Sequence, residues 1–350
     1  MKKNRGGRLP LESQGVGVRT FVVTVTYGSR RELLLKVLDS ARSQGIQRAV
    51  VVDNASDWNV AGDLREIFGD WVDVTTSPRN RGSAGGFSCG MKRALELGAD
   101  YLLLLDDDNV LRPCALQKLH SALARTAGDA RADTSVVQAF RPGHQSDLVK
   151  GAPVGRAYPR SGSFRGFHYL DLPYKAFRRI KRMIVRQQHV KPLSEEFGVP
   201  SAPYSGLLFQ RAVIERFGLP REDFLLYTDD TEFTVRITQG GGSIVLVPSA
   251  VVEDMESSWN IAAGPSKSSF DVLLDQGSDF RAYYSTRNGV YFQKNRAAAS
   301  RALLLNIWIY MFLLRCKVRS SQQRSRYELV WRAVQDGLAG RLGEHPQFPL

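Results

Sequence analysis

Apolar, β-branched runs alternate with stretches of helical spacing through roughly the first third of the chain. Residues 19–27 (RTFVVTVTY) predict a strand, and Leu34, Val37 and Leu38 give 31–41 a single apolar helical face. A strand over 49–53 ending in Asp53-Asn54, a helix over about 58–68 and a strand over 72–76 follow. The stretch Asn80-Arg81-Gly82-Ser83-Ala84-Gly85-Gly86 then opens a helix that runs to about Leu97. Next comes YLLLLDDD at 101–108, whose unbroken apolar run predicts a strand buried on both faces of a parallel sheet. Such alternation predicts an α/β sandwich with right-handed crossovers.

Beyond it the pattern loosens. One short strand is predicted at 135–140, inside an excursion over 127–166 rich in Gly, Pro and Arg. Residues 174–188 (YKAFRRIKRMIVRQQ) have the spacing of a basic amphipathic helix, with Tyr174, Phe177, Ile180 and Ile184 in one stripe. PYSGLLFQ at 203–210 reads as a strand followed by a short helix that stops at Gly218. In DFLLYTDDTEFTVR (223–236) an apolar run again ends in adjacent aspartates, here at a helix start. A strand over 243–247 leads through Pro248 to Glu253-Asp254, and helices are predicted near 280–294, 302–314 and 326–338.

The 350 residues suffice for one large α/β domain with an appendage or for two modest domains. The division expected is a basic leader (1–18), an α/β domain (19–260, in halves at 19–112 and 113–260) and a basic helical region (261–350). Cys89, Cys114 and Cys316 show no CxxC spacing, so neither a disulfide framework nor a zinc site is indicated, and a reducing, cytoplasmic setting fits. The net charge of +13 points to an anionic partner. Between 281 and 326 the chain carries ten Lys/Arg and no Asp or Glu. The apolar run at 302–314 falls short of the roughly 20 residues a spanning helix needs. Peripheral attachment to the anionic inner face of the plasma membrane through 174–188 and the 281–326 region is therefore expected, the competing expectation being that the run at 302–314 packs against the rest of the protein or a second subunit and the cations are solvated.

The candidate chemistry lies in the acids. Asp106, Asp107 and Asp108 sit at the carboxyl end of a strand, where ligands bind in open α/β sheets, and such carboxylates can hold a hard divalent cation and through it a diphosphate. One of them as a helix cap leaves the other two unexplained. Asp229, Asp230 and Glu232 exceed what capping requires, so one of them is a candidate general base. There is no GxGxxG or GxxxxGK[ST]. Gly82, Gly85 and Gly86 allow close approach either of a ligand or of the neighbouring strand.

Taken in order, VVTVTYGSRRELL, VVVDNAS, NRGSAGGFSCGM, LLLLDDD, YSGLLF, FLLYTDDTEF and YYSTRN resemble family 2 glycosyltransferases with the GT-A fold, in the rhamnosyl- and galactofuranosyltransferase-like branch, over about 21–343. The resemblance implies a GT-A type nucleotide-diphosphosugar transferase: an αβα sandwich with a mostly parallel central sheet and an α-helical C-terminal appendage. It implies that 19–260 is the catalytic domain, with a nucleotide half at 19–112 and an acceptor half at 113–260. It implies that Thr24, Thr26, Tyr27, Asp53, Asn80, Gly82 and Gly86 line the nucleotide. Asp106, Asp107 and Asp108 look like the DXD element, with Asp106 and Asp107 toward the sugar nucleotide and Asp106 and Asp108 toward Mn²⁺ or Mg²⁺, and Asp230 beside Asp229 is the implied base. Relatives usually carry a histidine metal ligand after the last strand; here Glu253 or Asp254 stands in, with Glu253 the expected ligand.

The activity implied is inverting, metal-dependent transfer of a hexose or deoxyhexose from a UDP- or dTDP-linked donor to a glycan or lipid-linked acceptor in cell-surface polysaccharide synthesis. Homo-oligomerisation is left open. The competing expectation is a catalytically inactive protein that binds sugar nucleotide or polysaccharide at a membrane. A nucleotidyltransferase would show a Gly- and Arg/Lys-rich loop after the first strand, of which YGSRR is only a faint echo, and no nucleic-acid-binding motif is present.

Overall fold

The computed structural model describes residues 18–128, 133–173, 195–256, 268–296 and 300–350. The basic segment at 174–188 and all but the last residue of the leader lie outside the described residues.

The first half is built as its pattern requires. β1 (Thr20–Gly28), α1 (Arg31–Ser43), β2 (Arg48–Ser56), α2 (Val60–Phe68), β3 (Val72–Ser77), α3 (Gly82–Glu96) and β4 (Tyr101–Asp106) succeed one another, and β3, β2, β1 and β4 lie side by side in parallel. Leu102 to Leu105 of β4 are all wholly buried. Leu102 and Leu104 enter one apolar cluster with Phe87 and Met91 of α3, whereas Leu103 and Leu105 enter a second with Leu34 and Leu38 of α1. Alternate side chains of a strand face opposite ways, so a four-leucine run is what a strand covered on both faces needs. Truncating one of them costs about 2–5 kcal/mol.

The remaining elements are β5 (Asn109–Leu111), α4 (Ala115–Ala127), β6 (Ser135–Phe140), α5 (Pro142–Val149), α6 (Val154–Ala157), β7 (Phe197–Gly198), β8 (Leu207–Gln210), α7 (Arg211–Phe217), α8 (Asp229–Gln239) and β9 (Ser243–Asp254). They complete a nine-stranded sheet in the order β3-β2-β1-β4-β8-β6-β9-β5, with β7 on β9. The excursion over 127–166 thus holds a central strand and two helices. β8 runs antiparallel to both β4 and β6, which restores β6 and β9 to the direction of β1. The sheet is therefore mixed but mostly of one direction. β9 continues to Asp254, past the expected end at 247. Its register against β6 shifts after Val247, where Pro248 has no N–H to give the ladder.

The C-terminal part is helical: α9 (Ser269–Asp275), α10 (Asp279–Lys294), α11 (Ser300–Lys317) and α12 (Ser321–Ala339) share a third apolar cluster. That cluster reaches Leu225 and Tyr227 of the loop before α8. The loop is strained, since Leu225, Tyr227 and Thr228 all have positive φ (60°, 67° and 68°) without being glycine. Asn288 of α10 holds it, its side-chain amide donating to the carbonyls of Phe224 (2.7 Å), Leu226 (2.8 Å) and Tyr227 (3.0 Å).

Asn288 is wholly buried, so Asn288→Ala leaves these carbonyls without their donor. A loss of about 1–3 kcal/mol is expected in urea unfolding. An unchanged midpoint would mean that the apolar cluster alone holds the loop.

Candidate active site

The carboxyl ends of β1, β2, β4, β6 and β9 lie along one edge of the sheet, and the acids converge there. A cleft of 370 Å³ opens at this edge, walled by Tyr27, Arg30, Asn80, Gly82, Arg141 and the three aspartates 106–108. A second recess of 370 Å³, with Thr75, Thr76 and Gly86 in its wall, shares Asn54 with it.

Two arginines organise the carboxylates. Arg30, just after β1, donates from Nε to both oxygens of Asp107 (2.9 Å each) and pairs with Asp108 (3.1 Å) and Glu256 (2.8 Å). Arg141, at the end of β6 and buried, donates to Asp254 through Nε (3.2 Å) and faces Asp106 at 3.4 Å. Five carboxylates thus surround two guanidinium groups, an excess of negative charge in a partly desolvated recess. The cost appears in the carboxyl groups. Desolvation, then Asp108, Asp230 and Asp254 against the pull of Arg141, push Asp106 up to about 6. Burial lifts Asp107 to about 7 against the pull of Arg30, and burial also raises Asp108.

These residues fit a divalent cation. The donors are hard carboxylate oxygens, and Asn109 Oδ1, whose amide nitrogen bonds both Asp108 and Asp254 at 2.8 Å, is buried with no hydrogen-bond partner among the described residues. No three acids among the described residues already converge as a ligand set; Arg30 and Arg141 stand between them. Glu253 is not in the cluster. Side chains alternate along β9, so Glu253 faces away and pairs with Arg112 at 2.8 Å, while Asp254, opposite Asn109, faces the aspartates. His144 of α5 lies 3.5 Å from Asp254. An imidazole does reach this corner, from a different element than the end of the last strand.

The other expected residues divide in the same way. Tyr27 walls the cleft, as does Val25, which was not expected there, whereas Thr24 and Thr26 are wholly buried and absent from its wall. Asp53 is also buried and accepts the Ser56 N–H (2.9 Å), shaping the end of β2. Asn80 Oδ1 accepts from Gly82 N (2.9 Å) and from Asn54 (2.8 Å). Gly82 has φ +69°, and a Cβ there would stand 2.0 Å from the Leu225 carbonyl; one at Gly86 would stand 2.5 Å from Val25. Both glycines are required by protein packing, and Gly82 borders the cleft as well. Arg30, Arg141, His144 and Ser83 escaped the sequence reading. Only the place of Arg30 behind the first strand and of Arg141 behind the strand at 135–140 could have marked them.

Ser83, which borders the cleft, donates its hydroxyl to Asp229 (2.8 Å), and Asp230 Oδ1 accepts from the Thr231 N–H (2.6 Å) and hydroxyl (3.1 Å); neither aspartate is itself in the cleft wall, and Thr228 and Thr231 on either side of the pair face a separate recess of 310 Å³. Burial, with Asp230 beside it, holds Asp229 well above the usual carboxylate range; burial raises Asp230 as well, against the Thr231 hydrogen bonds. A carboxyl raised in this way keeps, on folding, a proton that the unfolded chain releases near pH 4. Its contribution to stability is present below that pH and is lost as pH rises through the folded value. Asp229→Asn should therefore stabilise the protein at pH 8 by roughly 1–2 kcal/mol and change little at pH 4.5. Urea unfolding at the two pH values measures the difference, and an equal effect at both would refute the buried-charge account.

Known proteins resemble this chain in sequence. A family model described as glycosyltransferase like family 2 matches residues 19–276. A galactofuranosyltransferase, GlfT1 of Mycolicibacterium smegmatis, is 29% identical over 233 residues, which cover 63% of this chain and 65% of that protein. The Mycobacterium tuberculosis GlfT1 is 27% identical over the same length. Among solved structures, GalNAc-T7 with UDP, GalNAc and Mn²⁺ aligns at 15% identity and a TM-score of 0.49, covering 84% of this chain and 54% of that one. With about three quarters of its length matched by the family model, the chain belongs to the glycosyltransferase family 2.

Proposed function

We propose that this protein transfers a sugar from a nucleoside diphosphate donor to a glycan or lipid-linked acceptor with inversion at the anomeric carbon. What carries the reading is the gathering of acids at one sheet edge: Asp106 and Asp108 in the cleft wall, Asp254 joined to Asp108 through Asn109, and Asp230 among the charges that raise the Asp106 carboxyl. The donor's nucleotide lies along Asn54, Asn80 and Gly82 toward the recess at Thr75 and Thr76, with its diphosphate over 106–108. Arg30 and Arg141 are placed to meet the diphosphate. Asp106, Asp108 and Asp254 would hold Mn²⁺ or Mg²⁺, and the chemistry a metal supplies when bound there is neutralisation of charge on the leaving diphosphate.

The Thr231 N–H and hydroxyl both bond Asp230 Oδ1, and Oδ2 is the oxygen that would take the proton of the attacking hydroxyl. Ser83 fixes Asp229 beside it, and burial, which raises both carboxyl groups, makes Asp230 a stronger base than a free carboxylate. No covalent intermediate is needed. A UDP-linked galactofuranosyl donor is the first to test, given the GlfT1 similarity, with other UDP- and dTDP-linked hexoses and deoxyhexoses next. The setting proposed is cell-surface polysaccharide synthesis, on the cytoplasmic face of an anionic membrane. Among the described residues no helix is long and apolar enough to cross a membrane. The second reading, binding without turnover, draws on the arginines that already neutralise part of the carboxylate cluster.

Nucleoside diphosphate release from a panel of sugar nucleotides with Mn²⁺ separates the two readings. Asp230→Asn should lower kcat at least about 10²-fold with little change in donor affinity; a large loss in Asp229→Asn alone would exchange the roles. In calorimetry, Asp106→Ala, Asp108→Ala and Asp254→Ala should each abolish metal-dependent donor binding, and Glu253→Ala should leave it intact. Unchanged affinity in the three aspartate variants would remove the metal assignment.

A further inference from the structure

Of the ten large apolar side chains exposed among the described residues, five stand on α11: Leu304, Leu305, Trp308, Phe312 and Leu313. Trp308 and Phe312 are 65% and 67% exposed, an unusual degree for such residues in so small a patch. The opposite face of the helix, with Leu303, Ile307, Tyr310, Met311 and Leu314, is buried in the C-terminal cluster. α11 is therefore apolar all round, yet only half covered. Its seat is fixed: Asn306 donates to the Gly162 carbonyl (2.8 Å) and accepts the Tyr169 N–H (2.8 Å), and the Trp308 and Trp331 rings lie 5.9 Å apart.

Charge decides what covers the open half. Arg301 and Arg315, both exposed, stand seven residues before and after Trp308, which at 100° per residue puts them within about 20° of it on the helix surface. The apolar stripe is thus bracketed by arginines whose backbone positions lie about 21 Å apart along the helix axis. From 300 to 327 the sequence has six Lys/Arg and no Asp or Glu. A second copy of the chain packed on this stripe would set cation against cation. The cationic 174–188 segment would meet the same repulsion.

We infer that the outer face of α11 is a membrane-insertion face, which seats the protein on an anionic lipid bilayer with Trp308 and Phe312 among the acyl chains and Arg301 and Arg315 at the headgroup phosphates. The inference rests on the proposed membrane setting and names the surface that would mediate it. Eighteen residues with Asn306 buried at their middle do not span a bilayer, so the helix lies in its plane. Arginine stems reach back to the interface while the rings go deeper.

Co-sedimentation of the full chain with vesicles of phosphatidylcholine alone, or with phosphatidylglycerol added, tests this. The wild type should bind the anionic vesicles at least about tenfold more tightly. Trp308→Ser with Phe312→Ser should lower that binding about tenfold or more, and Arg301→Glu with Arg315→Glu should remove the anionic preference. Wild-type binding that neither pair of substitutions changes overturns the α11 assignment while leaving the membrane setting. Failure of the wild type to bind at low salt overturns both. A dimer in sedimentation equilibrium that Trp308→Ser with Phe312→Ser dissociates overturns it in favour of a second copy. Donor turnover in solution, measured on the same samples, reports the glycosyl-transfer reading separately, because no α11 residue borders the cleft.

Discussion

Crowding of carboxylates at one sheet edge is the constraint on which the rest of the site depends. Asp106, Asp107, Asp108, Asp254 and Glu256 would repel one another and lose hydration together, and among the described residues only Arg30 and Arg141 pair with them as permanent cations. The compensation is incomplete, as the raised carboxyl groups of Asp106 and Asp107 show. Charge left uncompensated in this way is suited to a ligand that brings cations with it, which is what a metal-bound diphosphate does. Each arginine comes from a different crossover of the sheet, so the balance exists only when β1, β4, β6 and β9 are assembled.

The second wall of the cleft depends on the C-terminal helices. Loop 225–228 is strained, and the backbone at Gly82 passes so close to Leu225 that no side chain fits between them. Ala84 N donates to the Leu225 carbonyl (3.1 Å), and Asn288 of α10 donates to the carbonyls on either side of Leu225. The glycine-rich start of α3, the candidate base and the helical appendage therefore form one mechanical unit. That unit also links the cleft to α11, whose inner face shares the cluster reached by Leu225 and Tyr227.

Local pattern carried much of the α/β architecture. The alternation through β4 follows from side-chain periods of 2 and 3.6, and the doubly buried strand at 101–106 from its unbroken leucines. The acids at 106–108 and 229–230 were visible because adjacent carboxylates are conspicuous wherever they occur. The antiparallel sense of β8 was hidden, because a strand of four residues has the same composition in either direction.

Glu253 and Asp254 show most plainly where sequence stops. By itself the sequence determined that two acids end the last strand; which of them serves the site depends on the pairing of Asn109 with Asp254, and a one-residue change of register would exchange them. Arg30 and Arg141 likewise became site residues only when the strands were laid side by side, since charge balance acts across space and leaves no mark on spacing along the chain. The same holds for α11, whose apolar residues look alike in sequence and were divided into buried and exposed faces only by the packing of the helices around it.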